Sequence, residues 1–260
     1  MDLEDEKLIK VGRVGADALK RDRTGRLVRE KKFTRAVLTS RDFDVLKFVL
    51  EMRFATREEL FRRFFKVTQA GTIATSPEFM RRRLIELEKL SLLIRTKNYI
   101  SGVQCFVATD KTQKLLQEKY PDAFFPRAIK QIHWVNFFHD ELVLKSRIEF
   151  EAELRITDWI SDHSLKTLGP KLFGLKMKYA PDGVYRLPSG EWRAFELENS
   201  KKEKRIYREK LELYAKLIKT RSEMPGMFTK VHIRCTSLLL NTIQKIKIDQ
   251  FLVRNPGLNR

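Results

Sequence analysis

The chain has 260 residues, 42% of them hydrophobic and 33% charged, with 53 Lys+Arg against 34 Asp+Glu for a net charge of +19 and an isoelectric point near 10.0. That apolar content is enough to bury one large core or two modest ones, while no run approaches the roughly 18 apolar residues of a membrane span. Residues 1–30 are charged throughout, unlike a secretory leader, and two distant cysteines, Cys105 and Cys235, make no disulfide framework, so the expected location is the cytoplasm.

Residues 1–35, 36–120 and 121–260 each carry a positive balance, so the charge is not one basic tail. A polyanion met over much of the body is the partner this implies, with a basic but merely soluble protein as the alternative. No long helix sets a basic face against a Trp/Phe/Leu face, which argues against a membrane surface.

In chain order, residues 1–35 mix both charges with Gly12, Gly15 and Gly25 and read as a basic flexible arm, either ordering on DNA or without a role. Helical spacing begins after Thr39-Ser40, with Phe43, Leu46, Val49 and Leu50 on one stripe and an end near Arg53. Thr56-Arg57-Glu58-Glu59 is a capping box that starts a second helix through Leu60, Phe61, Phe64 and Phe65. Ser76-Pro77 starts a third, whose stripe of Met80, Leu84, Leu87 and Leu90 turns Arg81, Arg82 and Lys89 outward and leaves Arg83 beside the core. Ile94–Tyr99 and Val103–Ala108 read as two strands turning at Ser101-Gly102, and Asp110–Tyr120 as a helix. Three helices followed by a hairpin is the order of a winged helix-turn-helix, here 36–120. Arg81, Arg82 and Lys89 would face the major groove, and Arg95 and Lys97 of the wing the phosphates. The competing reading is a small helical domain whose arginines pair with Glu78, Glu86 and Glu88.

Residues 121–132, with two prolines and bulky aromatics, form a connector. Beyond it, 133–260 reads as α/β: a long helix over His133–Leu154 burying Phe138, Leu142 and Ile148, and strands near Ile156–Ile160, Lys176–Leu187, Trp192–Glu198 and Val231–Thr236. Helices follow at Lys201–Ile218 and Leu238–Phe251. The fold expected is therefore an α+β or α/β two-domain chain.

In this half, Pro181-Asp182-Gly183 precedes Glu196-Leu197-Glu198. Alternate strand positions share a face, so Glu196 and Glu198 project together, and a neighbouring strand would add Asp182. Three converging carboxylates call for a divalent cation, and hard oxygen donors suit Mg²⁺, which can activate water against a phosphodiester. Glu141 on the preceding helix would complete the cluster, and Lys201 or Lys202 would meet the scissile phosphate. The plain alternative is a half-exposed Glu-Leu-Glu strand and a Pro-Asp-Gly turn.

Asp182 with Glu196-Leu197-Glu198 resembles the PD-(D/E)xK restriction-endonuclease-like core, departing from it where Glu198 stands in place of the motif lysine. With the preceding winged helix, His139-Asp140-Glu141-Leu142 and Lys210-Leu211-Glu212-Leu213-Tyr214, the chain resembles the replication-relaxation family. That resemblance implies a bacterial protein on nucleoid or plasmid DNA, binding double-stranded DNA in replication or mobilisation of a plasmid or mobile element, or in its regulation. It also implies replication or mobilisation proteins as partners; a homodimer would suit a two-fold symmetric site. The nuclease-like domain has two readings: a retired fold, or a Mg²⁺-dependent endodeoxyribonuclease using Asp182, Glu196 and Glu198.

Overall fold

The computed structural model describes residues 7–21, 27–67, 71–74, 76–98, 101–173, 180–199, 204–221, 227–235 and 251–254. The chain is α+β and divides into two compact units that are not consecutive in sequence. One comprises Met1–Leu50, Thr56–Asp122 and Arg127–Lys130, the other Glu51–Ala55, Ala123–Pro126 and Gln131–Arg260. Among the described residues no helix is long and apolar enough to cross a membrane.

The first unit opens with β1 (Lys7–Arg21) and β2 (Leu27–Leu38), an antiparallel two-stranded ribbon in the stretch from which the sequence suggested only an arm. α1 (Ser40–Glu51) follows at once. Thr39 closes its start, its backbone N–H and its hydroxyl each donating to Asp42 Oδ2 at 2.7 Å. β3 (Ala55–Thr56) leads into α2 (Arg57–Leu60), capped by the expected reciprocal bonds between Thr56 and Glu59, and a π-type turn continues it over Phe61–Phe65. α3 (Glu78–Lys89), β4 (Leu93–Lys97), β5 (Gln104–Ala108) and α4 (Asp110–Lys119) complete the unit. β4 and β5 form a hairpin, and the three-stranded sheet runs β3-β5-β4. Gly102, at φ +70°, supplies the left-handed turn residue of that hairpin, which a side chain would resist. The stripes read from sequence are the core: Phe43, Leu46, Val49, Leu60, Met80, Leu84 and Leu87 are all buried.

The second unit is built on a mixed sheet in the order β10-β9-β8-β7-β6. Its strands are β6 (Asp158–Ser161), β7 (Gly183–Arg186), β8 (Trp192–Glu198), β9 (Lys230–Cys235) and β10 (Phe251–Arg254). β8 pairs antiparallel with β7 and parallel with β9. α5 (Phe137–Glu153) lies against one face, where Phe150 packs on Tyr185, Phe195 and His232. The alternate strand residues Val184, Ala194, Val231 and Ile233 instead join Tyr207, Leu211, Tyr214 and Leu217 of α7 (Lys204–Arg221) in an apolar core.

Three expectations are corrected. A 3₁₀ turn at Trp134–Asn136 shifts the phase of α5, so Phe137 is buried and stacks on Phe54 at 4.9 Å while Phe138 is 54% exposed. Leu142 is half-buried and Ile148 buried, as its phase then requires. α6 (Asp162–Phe173) occupies a stretch where the sequence pattern predicts no element, because Gly169 and Pro170 within it are poor helix residues. Phe251, expected to end a helix, begins β10; 238–250, where the rest of that helix was expected, lie outside the described residues.

Candidate functional site

Basic side chains gather on the solvent side of α3. Pro77 occupies its cap position, while the Ser76 hydroxyl accepts from the Glu78 N–H at 3.2 Å. Because Met80, Leu84 and Leu87 fix which side is buried, Arg81 and Arg82 are left 58% and 75% exposed. Both sit near Glu78, at 3.5 and 3.9 Å, and Lys89 lies 3.2 Å from Glu86. Such exposed pairs are worth about 0–1 kcal/mol in water, so a phosphate can displace them cheaply. Arg95 of β4 forms a two-pronged bond to Glu88, which raises its pKa. Arg57, Arg81 and Arg95 line one groove of about 240 Å³ with Leu84, Gln104 and Phe106. Arg82, Lys89 and Lys97 are not among its lining residues, although Lys97 too is exposed. Arg83 turns inward, bonded to the buried Asp42 carboxylate (Nε–Oδ1 2.7 Å) and to the Val37 carbonyl at 2.8 Å.

The acidic site lies at one end of β8. The register Gly183↔Phe195 sets Asp182 beside Glu196, and Asp182 Oδ2 accepts from the Leu197 N–H at 2.8 Å. Its other oxygen is 3.0 Å from His139 Nε2 on α5. Glu196 and Glu198 do project together, toward α7, and both are buried. There Lys210 bridges them, donating to Glu196 Oε2 and, at 3.0 Å, to Glu198 Oε1, while the Tyr214 hydroxyl donates to Glu196 Oε1.

Glu196 and Glu198 share one lysine beside Asp182, and the imbalance falls on Glu196. Burial pushes its carboxyl up to about 8, the Asp182 charge adds to this, and Lys210 and Tyr214 oppose it. Burial alone would pull the Lys210 ammonium down, but Glu196, Glu198 and Asp182 outweigh it and keep the lysine protonated. His139 is treated alike: burial lowers it, and Asp182 and Asp140 more than compensate.

Beside Asp182 is a second ring of charge. Arg53 pairs with Asp162 and stands 3.6 Å from Asp140; these three, with His139 and Asp182, line a cavity of about 10 Å³, room for roughly one water. Burial raises Asp140, whereas the Arg53 charge and hydrogen bond overcome burial at Asp162 and lower it.

Of the residues singled out in the sequence, Asp182, Glu196 and Glu198 come together. Glu141 instead pairs with Lys145 at 2.9 Å and does not line the cavity. Lys201 and Lys202 lie outside the described residues. Among the described residues no group of three or more His, Cys, Asp or Glu side chains is set to hold a metal ion. The donors are the hard oxygens that Mg²⁺ takes, but they converge on the Lys210 ammonium and on backbone, not on a shared vacant point.

Lys210, Tyr214, His139, Arg53 and Arg57 were not assigned roles from the sequence. One signal was present: Lys210 interrupts the apolar spacing Tyr207, Leu211, Tyr214, Leu217, Ile218, and a lysine inside a buried stripe needs an acid to face. Compared with protein-family models, with curated proteins and with solved structures, the chain returned no match.

Proposed function

We propose that the protein binds double-stranded DNA in replication or mobilisation of a plasmid or mobile element, or in its regulation. On this reading the first unit is a winged helix-turn-helix domain, with α3 as the helix in the major groove and β4–β5 as the wing. The second unit is a restriction-endonuclease-like domain. The protein works in the bacterial cytoplasm, with replication or mobilisation proteins as partners and as a homodimer where its site is two-fold symmetric.

The observation that supports this best is the groove lined by Arg57, Arg81 and Arg95 on the open side of a helix whose other side is core. Paired guanidiniums suit guanine edges and phosphates alike. The test is fluorescence anisotropy with a duplex over a series of salt concentrations. Arg81→Ala with Arg82→Ala is expected to weaken binding at least about tenfold and to reduce the salt slope by about two. Unchanged affinity for every duplex tried would refute the assignment of α3.

A second reading, a Mg²⁺-dependent endodeoxyribonuclease, draws on the surplus of carboxylate at Asp182, Glu196 and Glu198. A site that holds an extra proton on Glu196 could exchange it for a cation. Mg²⁺ there would supply an activated water and neutralise the leaving oxygen. Asp182, Glu196 and Glu198 would hold it, and to do so they would have to turn from the Leu197 N–H and from Lys210. Calorimetry of Mg²⁺ and Mn²⁺ into wild type and Asp182→Ala, then incubation with supercoiled plasmid, decides the matter: binding and nicking that Asp182→Ala abolishes support a nuclease, and neither in the wild type removes it.

A further inference from the structure

The β1–β2 ribbon is basic along its length. At its base Leu8↔Val37, Ile9↔Ala36 and Val11↔Thr34 pair apolar residues or threonine, while Lys7↔Leu38 and Lys10↔Arg35 carry cations. Beyond Gly12↔Phe33 the registered pairs are Arg13↔Lys32, Val14↔Lys31, Leu19↔Arg29, Lys20↔Val28 and Arg21↔Leu27, each with a lysine or arginine. Two pairs, Lys10↔Arg35 and Arg13↔Lys32, set cation directly across from cation, an arrangement that destabilises a strand pair. In the described sheets no third strand joins the ribbon, and a lone two-stranded ribbon is marginal in water. Over Lys7–Arg21 and Leu27–Leu38 nine Lys and Arg stand against Asp17 and Glu30, so the whole ribbon accumulates positive charge at a cost that a polyanion would remove.

The position of the base matters as well. Arg83, which starts from α3, donates to the Val37 carbonyl near the end of β2. The ribbon is therefore tied at its root to the helix on whose other side Arg81 and Arg82 are exposed.

We propose that the basic ribbon lies in a groove of duplex DNA and extends the surface that α3 offers. This rests on the DNA-binding reading above. Alternate residues on one face of a strand recur about every 7 Å, and a two-stranded ribbon fits the roughly 12 Å wide major groove. The register irregularity between Val14 and Leu19 adds twist where a straight ribbon would leave a helical groove. Nine cations against two acids on a narrow ribbon suit the dense phosphate charge of duplex DNA, one per roughly 1.7 Å of helix axis, better than a sparser acidic protein surface.

The experiment uses the full chain carrying Arg13→Thr, Lys20→Thr, Arg29→Thr and Lys32→Thr, threonine being a good strand residue, with circular dichroism to confirm matched folding. Binding is measured against a 40-base-pair duplex, the corresponding single strand and polyglutamate over a salt series. The expected result is duplex affinity lower by at least about tenfold, with a log–log salt slope shallower by about three to four. The single strand and polyglutamate should be much less affected. A slope change below about one overturns the proposal, and so does an equal loss on single strand or on polyglutamate, the latter pointing to an acidic protein. If the wild type itself binds no duplex, the DNA-binding reading falls and takes the ribbon proposal with it; duplex binding that the four substitutions leave intact sinks the ribbon alone.

Discussion

Glu196 is sealed between Lys210 and Tyr214 with Asp182 close by, so its carboxyl must hold either a proton or a cation. Its value near 8 lies above the ordinary 4.5, so between those limits the folded protein keeps a proton that the unfolded chain has released. Stability present below pH 4.5 is then lost as the pH rises to about 8, by up to roughly 1.4 kcal/mol per unit. Glu196→Gln cannot ionise and still accepts from Lys210, so urea midpoints measured from pH 5 to 8 should flatten in the variant; an unchanged slope would mean that Glu196 is ionised throughout. Lys210 has the opposite role. Lys210→Met takes the shared ammonium from the buried Glu198 and Glu196 and should cost roughly 3–5 kcal/mol in the same urea titrations. Adding Glu196→Gln and Glu198→Gln to it should return most of that loss, since replacing a whole buried ion group is far milder than breaking it.

At the scale of elements, Gly183 shows why β7 and β6 can lie where they do. A Cβ there would clash with the Trp159 ring, and Trp159 is buried on the sheet, so Gly183→Ala should cost about 1–3 kcal/mol and shift the tryptophan emission. Thr56→Ala removes the cap of α2 and leaves the buried Glu59 carboxylate short of a donor, for an expected loss of about 1–2 kcal/mol in thermal unfolding. That cap was legible in the sequence because its chemistry is local: four adjacent residues specify it. The α3 stripe and the Glu196/Glu198 alternation were legible for the same reason, each depending on one period. α6 was not, because tertiary packing, with Leu165 in the core, overrides its weak local propensity. Phe137 and Phe138 differ only in phase, which the short 3₁₀ turn sets. The partners of the acidic site were hidden for another reason. Lys210 reaches Glu198 across twelve positions and Arg53 reaches Asp162 across 109, distances over which no local pattern speaks.

Over the whole molecule, the two units are interleaved along the chain, since Glu51–Ala55 and Ala123–Pro126 belong with Gln131–Arg260. The short early segment brings three specific things to the later one. Glu51 accepts from Arg147 Nη1 at 2.9 Å, Arg53 neutralises Asp162 and Asp140, and Phe54 stacks on Phe137. A cut at the connector, the natural choice from sequence alone, would therefore take Glu51 from Arg147, Arg53 from Asp162 and Phe54 from Phe137, while Glu151 still pairs with Arg147 and Lys166 with Asp162. A fragment beginning at Gln131 is expected to unfold at clearly lower urea than the same residues do in the intact chain, because it loses one of the charge partners of Arg147 and of Asp162 and the ring stacked on Phe137. The full chain carrying Arg53→Met should reproduce part of that shift, and Phe54→Ala another part, each followed by tryptophan emission from Trp159 and Trp192. Equal midpoints for fragment and full chain would show that the segment around Arg53 is a passenger and that the connector is a true boundary.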